Sequence, residues 1–340
     1  MEQETQAPET DTALIGLDWG TSSLRAFRFD ATGQVQQMRH RPWGIMNLPA
    51  AADGQPHATH AAAFEHAFDD VCGDWLRAEP RLPVLACGMV GSAQGWREAV
   101  YLESPASLDH LAQGLTVVQH AAEYQVHIVP GLIQRGDLPN VMRGEETQVL
   151  GVMAGSARPD QAPVLIGLPG THSKWVLARR RSIEQFHTFM TGEVFAALRG
   201  HTILGRTMQA ADAPDDAAFA RGLQVARSAD APLGLLSHIF SMRTLGLTGA
   251  LPGLAQADYL SGLLIGHEMA ALAAQPNQGA TPIVLCGEPD LCRRYALALA
   301  AYGLPAPEIA ENATARGLWQ IATAAGLAAP SDTRSTEAAR

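Results

Sequence analysis

Asp18 ends the apolar run LIGLD, and after Trp19 come Gly20, Thr21, Ser22 and Ser23, a turn of small residues before a second strand begins at Leu24. Such a turn offers several backbone N–H groups and three hydroxyls, a set able to wrap phosphate oxygens, while a carboxylate at the strand end can hold Mg²⁺ directly or through water. The plainer alternative is an ordinary hairpin in which Asp18 caps the turn. The arrangement returns at Gly170, Thr171, His172 and Ser173, where Pro169 precedes the glycine and no carboxylate stands beside it. There His172 and Lys174 can approach phosphate oxygens, or stand as solvated hairpin residues. A glycine-rich phosphate loop normally feeds a helix. Both of these turns feed a strand.

Three other stretches carry chemistry. NVMRGEETQVLG (140–151) places Glu145 and Glu146 in the first turn of an apolar helix, where carboxylates suit the helix dipole, with Asn140 able to cap the approach. A helix start accounts for the two acids but not for Arg143. A planar guanidinium beside two carboxylates can clamp a substrate carboxylate while an acid accepts a hydroxyl proton. CGMVGSAQGW (87–96) is a strand followed by a loop that can bring backbone to a ligand, or a flexible connection. In VLCGEPDLCRRY (284–295), Gly287 and Glu288 can flank a nucleotide at a strand-to-helix turn, and Glu288 serves equally as a helix-start acid. Gly262 and Gly266 in SGLLIGHEM mark close helix packing, with His267 packed or solvated rather than ligating. No metal-ligand cluster of His and Cys, no Walker A pattern and no G-x-S-x-G elbow occurs.

The elements that must position these residues fall into two similar halves. In the first, strands at about 14–19, 24–29 and 34–39 precede a helix over about 59–78, where Phe64, Phe68, Val71 and Trp75 form one stripe, and then a strand at 83–88. In the second, a strand, the Gly-Thr-His-Ser turn, a strand, an arginine-rich tight turn (ARRRSI, 178–183) and another strand lead into helices over about 192–275. A strand at 281–287, a helix over 289–302, a short strand near 306–310 and a helix over 312–326 complete it. The pattern predicts an α/β protein with an N-terminal lobe at 13–155, a C-terminal lobe at 156–328, a ligand cleft between them, and frayed tails at 1–12 and 329–340.

A chain of 340 residues with 47% hydrophobic content can fill two cores. The net charge of -10 is spread out, and without a basic stretch the chain is not expected to bind nucleic acid. No apolar run approaches the ~18 residues of a membrane span, and the N-terminus lacks a signal peptide's regions, so a cytoplasmic protein without a membrane partner is expected. Cys72, Cys87, Cys286 and Cys292 form no C-x-x-C pair and read as reduced core thiols.

DWGTSSLRA, GMVGSAQGW, VPGLIQRGD, NVMRGEETQ, PGTHSKWV and SGLLIGHE, in this order over about residues 14–320, resemble the 2-dehydro-3-deoxygalactonokinase family of the sugar kinase, actin and Hsp70 superfamily. The resemblance implies two ribonuclease-H-like (actin-like ATPase) lobes with a nucleotide cleft between them. It also implies ATP-dependent phosphorylation of 2-dehydro-3-deoxy-D-galactonate, a small sugar acid, at its 6-hydroxyl, with Mg²⁺ and with lobe closure that excludes water. Under it, Asp18 organises Mg²⁺, Gly20, Thr21, Ser22 and Ser23 with Gly170, Thr171 and His172 embrace the phosphates, and Gly287 belongs to the adenosine motif. Glu145 stands where related kinases carry a catalytic Asp and is taken as the base, with Glu146 as the second candidate. Arg143, on charge alone, is assigned to the substrate carboxylate. Gly88, Met89, Gly91, Ser92 and Trp96 are assigned to the sugar pocket, with Trp43 and Gly44 beside them. The alternatives are a kinase for another keto-deoxy acid such as 2-dehydro-3-deoxygluconate, or a phosphatase or exopolyphosphatase-like hydrolase on the same fold. A sugar-responsive regulator would need an N-terminal helix-turn-helix, and the first strand begins by residue 14. A homo-oligomer is compatible with the sequence.

Overall fold

Both faces of the opening strand must be covered, because Leu14, Ile15, Leu17 and Trp19 occupy both and all are buried. The computed structural model describes residues 12–51, 57–156, 162–228, 230–275 and 281–329. The tails expected at the two ends lie, but for Thr12 and Ala329, outside them.

Strands β1 (Thr12–Trp19), β2 (Leu24–Asp30) and β3 (Val35–Arg41) form an antiparallel meander. Helix α1 (His60–Ala78) crosses to β4 (Val84–Cys87), which runs parallel to β1. Thr59 caps α1 by accepting the Ala62 N–H, and the stripe Phe64, Phe68, Val71 and Trp75 is buried as its spacing predicts. Next come β5 (Tyr101–Glu103), β6 (Ala106–Ser107), α2 (Leu108–Gln113), β7 (Thr116–Gln119), β8 (Gln125–Ile128), β9 (Gly131–Gln134), β10 (Asn140–Met142) and α3 (Glu145–Ala154). The second half comprises β11 (Val164–Leu168), β12 (Ser173–Arg179), β13 (Ser182–Phe189), α4 (Thr191–His201), α5 (Asp216–Ala226), α6 (Gly234–Leu247), α7 (Gln256–Ala273), β14 (Ile283–Leu285), α8 (Pro289–Ala301), β15 (Glu308–Ile309) and α9 (Ala313–Ala324).

One sheet has the order β3-β2-β1-β4-β8-β7, with β4 and β8 parallel to their inner neighbours. Another has the order β15-β14-β11-β12-β13-β6, with β14 and β15 again parallel. Without the added edges β7 and β6, each half repeats one sequence of strands: three consecutive neighbours, then two parallel strands on the side of the first. This is the ribonuclease-H-like order that the resemblance implies. A third sheet, β10-β9-β5, lies in the first half and has no counterpart among the predicted elements.

The chain divides into two compact units. One takes its described residues from Met1–Asp160, Ala178–Gln185 and Asn312–Arg340, the other from Gln161–Leu177 and Phe186–Glu311. In the first, α3 packs on α9 so closely that a Cβ added at Gly151 or Gly317 would overlap the facing backbone carbonyl. The arginine-rich turn is a two-residue hairpin with Arg180 and Arg181 both left-handed (φ 55° and 58°). Arg181 holds it in place, its guanidinium donating to Gln320 Oε1 at 2.7 Å while its carbonyl accepts the Leu108 N–H. All four cysteines are buried and unbridged. Among the described residues no helix is long and apolar enough to cross a membrane.

Candidate active site

The first turn is built by main chain. The Gly20 N–H donates to Ser23 O at 2.9 Å, and the carbonyls of Gly20 and Thr21 accept the N–H groups of Ile45 and Met46. With its carbonyls turned inward, the turn presents Thr21 and Ser22 to solvent, and no protein acceptor for their N–H groups exists among the described residues. A Cβ at Gly44 would overlap Thr21 O and Ser22 N, so Gly44 buttresses the turn from behind. Trp43 is also behind it, its carbonyl accepting Trp19 Nε1–H at 2.9 Å.

Beside this turn lies a coupled set of acids. Asp18, opposite Arg25 in the β1–β2 register, forms an ion pair with it. Burial raises the Asp18 pKa, the Arg25 charge and hydrogen bond oppose that, and the nearby Glu145 charge adds to the rise. Gly88 (φ 95°) and Gly144 (φ 105°) let the end of β4 and the start of α3 meet at backbone distance: a Cβ at Gly144 would lie 3.1 Å from the Gly88 Cα. Glu145 Oε2 accepts the Arg143 N–H at 3.0 Å. Glu146 is wholly buried, with Oε2 accepting the Gly144 N–H at 2.6 Å and Oε1 accepting the Thr147 hydroxyl at 3.2 Å. Burial first and the Glu145 charge second push the Glu146 carboxyl up to about 7, against the backbone N–H bonds and the Arg143 charge.

Arg143 itself is buried, with Nη2 donating to Ala99 O at 2.8 Å and the guanidinium 4.2 Å from the Tyr101 ring centroid. Its Nε and Nη1 have no hydrogen-bond partner among the described residues, and neither has the buried Ser92 Oγ. Gly91 leaves room for this guanidinium, since a Cβ there would lie 3.0 Å from Nη1. Buried donors without partners are costly, and an acceptor-rich ligand would relieve them. Met89 and Gly91 form a short 3-10 turn after Gly88, with Met89 packed on the core. Trp96 is placed in the core behind that loop, 5.6 Å from Phe68 and 6.0 Å from Trp19 between ring centroids.

The second turn is held by side chains as well as main chain. His172 pairs with Glu193 in the first turn of α4, and the Glu193 N–H donates to Thr171 O at 3.0 Å. The expectation of a solvated Lys174 is corrected: it is buried and its Nζ folds back under the turn to donate to His172 O at 3.4 Å. Gly287 packs against the loop before Gly170, and Glu288 caps α8 by accepting the Leu291 N–H. Beside Gly170 opens a cavity of about 480 Å³, with Phe195, Ile265 and Leu291 among its apolar walls and Gln209, Arg294 and Tyr295 among its polar ones. Glu193, Phe195 and Gln209 carry no local sequence signal, whereas Gly170 lies in the second turn and Leu291, Arg294 and Tyr295 fall within the strand-to-helix stretch 284–295.

Among the described residues no group of three or more His, Cys, Asp or Glu is arranged to hold a metal. Mg²⁺ commonly takes one or two carboxylates and completes its shell with phosphate and water. Asp18, with Glu145 close enough to raise its pKa, fits an ion that arrives with a nucleotide.

A family described as 2-keto-3-deoxy-galactonokinase matches residues 18–321. The chain is 34% identical over 313 residues to the 2-dehydro-3-deoxygalactonokinase of Escherichia coli (strain K12), covering 91% of this chain and 97% of that one. It is 36% identical over 319 residues to a protein of Rhizobium meliloti (strain 1021) named as a probable 2-dehydro-3-deoxygalactonokinase, covering 90% and 97%. A crystal structure from Sinorhizobium meliloti, provisionally described as a 2-dehydro-3-deoxygalactonokinase, is similar with a TM-score of 0.80 at 33% identity, covering 92% of this chain and 98% of that one.

Proposed function

We propose, since this chain belongs to the 2-keto-3-deoxy-galactonokinase family, that it transfers the γ-phosphoryl group of ATP to the 6-hydroxyl of 2-dehydro-3-deoxy-D-galactonate. The observation that carries this is the family match from Asp18 to residue 321, a span that includes both turns and the acidic start of α3. The O6–P bond forms as the bond from the γ-phosphorus to the β,γ-bridging oxygen breaks; ADP leaves, and the hydroxyl proton passes to a carboxylate. Glu145 takes that proton, because its side chain is partly exposed whereas Glu146 is sealed in. The unpartnered N–H groups of Thr21 and Ser22 take phosphate oxygens, and the Gly170–His172 turn does the same in its own unit. Asp18 would hold Mg²⁺, which when bound spreads the negative charge of the β- and γ-phosphates. The cavity beside Gly170 has the size of a small-ligand site and seats the nucleoside. Arg143, with Ser92 next to Gly91, recognises the acid end of the sugar through the donors left unpaired around it. A hydrolase on the same fold is not favoured, since the relatives across this span are named as kinases.

The test is ADP release by the purified protein with ATP and Mg²⁺, read against a panel of keto-deoxy sugar acids. Release that requires 2-dehydro-3-deoxy-D-galactonate is expected. Release at the same rate without any sugar acid, or only with 2-dehydro-3-deoxygluconate, would overturn the assignment.

A further inference from the structure

Glu268 lies in α7, within a stretch whose sequence marks only close helix packing, and it is almost wholly buried. A buried carboxylate is tolerated only if its oxygens are hydrogen-bonded. Its Oε1 accepts from Ser173 Oγ at 2.9 Å and from Trp175 Nε1 at 2.7 Å. Its Oε2 accepts from Tyr295 OH at 2.8 Å and from Thr191 Oγ1. Burial raises the Glu268 pKa while the four donors pull against it. The Tyr295 hydroxyl, raised well above its ordinary value by burial and then by the Glu268 charge, keeps its proton and remains a donor.

The places of these donors give the network its meaning. Ser173 directly follows Gly170, Thr171 and His172. Thr191 opens α4, next to Gly192, where a Cβ would press on Gly170 O and the Thr171 Cα, and close to Glu193, whose N–H donates to Thr171 O. Tyr295 is on α8 and lines the same cavity as Gly170, Thr191 and Gly192. One carboxylate thus fastens the strand leaving the turn, the helix abutting the turn and one residue that lines the cavity. Burial alone would be served as well by an apolar residue of similar size. Two of the four donors, Ser173 and Thr191, stand at the exit strand of the Gly170–His172 turn and at the helix abutting it, so the network is a device for fixing that turn.

We infer that Glu268 is a positioning residue for nucleotide binding, acting through Ser173 and Thr191 to set the direction of the Gly170–His172 N–H groups; this rests on the reading that the turn takes ATP phosphates. It touches no phosphate itself. Its removal changes how well phosphates are held more than how well the nucleoside is held.

Calorimetric titration of the full chain with adenosine and with MgADP separates the two. Glu268→Gln is expected to weaken MgADP by about tenfold or more and adenosine by less than about threefold. A purely structural role would lower the melting temperature and leave the ratio of the two affinities as in wild type, and that result overturns the inference. Should Glu268→Gln not fold, Ser173→Ala and Thr191→Val each remove one donor; the same split at about three- to fivefold supports the inference, and an unchanged ratio in both overturns it. Wild-type protein that binds neither ligand refutes the kinase reading, and the inference with it. Wild-type binding with unshifted ratios in the variants refutes the inference alone.

Discussion

The two small-residue turns share a main-chain support and differ in the side chains that join it. The turn at Gly20–Ser23 is pinned through its own carbonyls by the N–H groups of Ile45 and Met46, with Gly44 pressed against its back. The turn at Gly170–His172 likewise offers the Thr171 carbonyl to the Glu193 N–H and has Gly192 pressed against it, and it adds side chains, with Glu193 on His172, Lys174 folded beneath, and Glu268 gripping Ser173 and Thr191. The charges differ as well. The first turn sits beside Asp18, Glu145 and Glu146, and the Glu145 charge adds to the burial that raises the pKa values of Asp18 and Glu146, whereas Glu268 is surrounded by neutral donors. A turn held by main chain alone frees its neighbouring side chains for chemistry. A turn that recruits side chains as well is a holding device, and substitution should expose that contrast.

The largest effect is expected where chemistry is concentrated. Asp18→Ala should lower turnover by roughly 10³-fold or more, with unchanged circular dichroism, because it removes the charge proposed to organise the metal without opening the core; near-normal turnover would erase the distinction between the turns. Glu145→Gln should lower kcat by about 10²-fold with little change in the sugar KM. A larger loss in Glu146→Gln would move the base one residue along.

Next in size is a pH effect on stability. The Glu146 carboxyl titrates near 7 in the folded chain against an ordinary 4.5, so the folded state binds the extra proton and stability falls as pH rises from about 4.5 to about 7, then levels off. The difference corresponds to about 3 kcal/mol. Urea unfolding at pH 5 and pH 8 should show Glu146→Gln gaining on wild type at the higher pH; an equal difference at both would disprove the raised pKa. The smallest effect sharpens the contrast in backbone. Gly44→Ala should cost about 2 kcal/mol through overlap with Thr21 and Ser22. Gly170→Ala, with open space where its Cβ would go, should leave the melting temperature within about a degree of wild type.

Both hairpins, the α1 stripe and the doubled order of strands were legible because each is written in short-range pattern: small residues where strands end, and apolar residues at periods of two or 3.6. The short strands between Tyr101 and Met142 were not, since strands of two to four residues are defined by partners rather than by composition. Burial of Lys174 and Trp96 also escaped, because exposure depends on what the rest of the fold lays over a residue. Glu268 is the clearest case. Its bond to Ser173 spans 95 residues, and nothing within SGLLIGHEM tells a buried acid from a solvated one.

The four unbridged cysteines provide built-in reporters. Cys72 and Cys87 belong to one unit, Cys286 and Cys292 to the other. Burial holds the Cys72 and Cys87 thiols far above their usual range and pushes Cys292 up to about 11, so none of these three offers a thiolate to an alkylating reagent at neutral pH while the chain is folded. Each becomes labelled only when its surroundings open. The rate at which mass is gained at each site, read by peptide mapping, would clock the breathing of the two halves separately without a single engineered change.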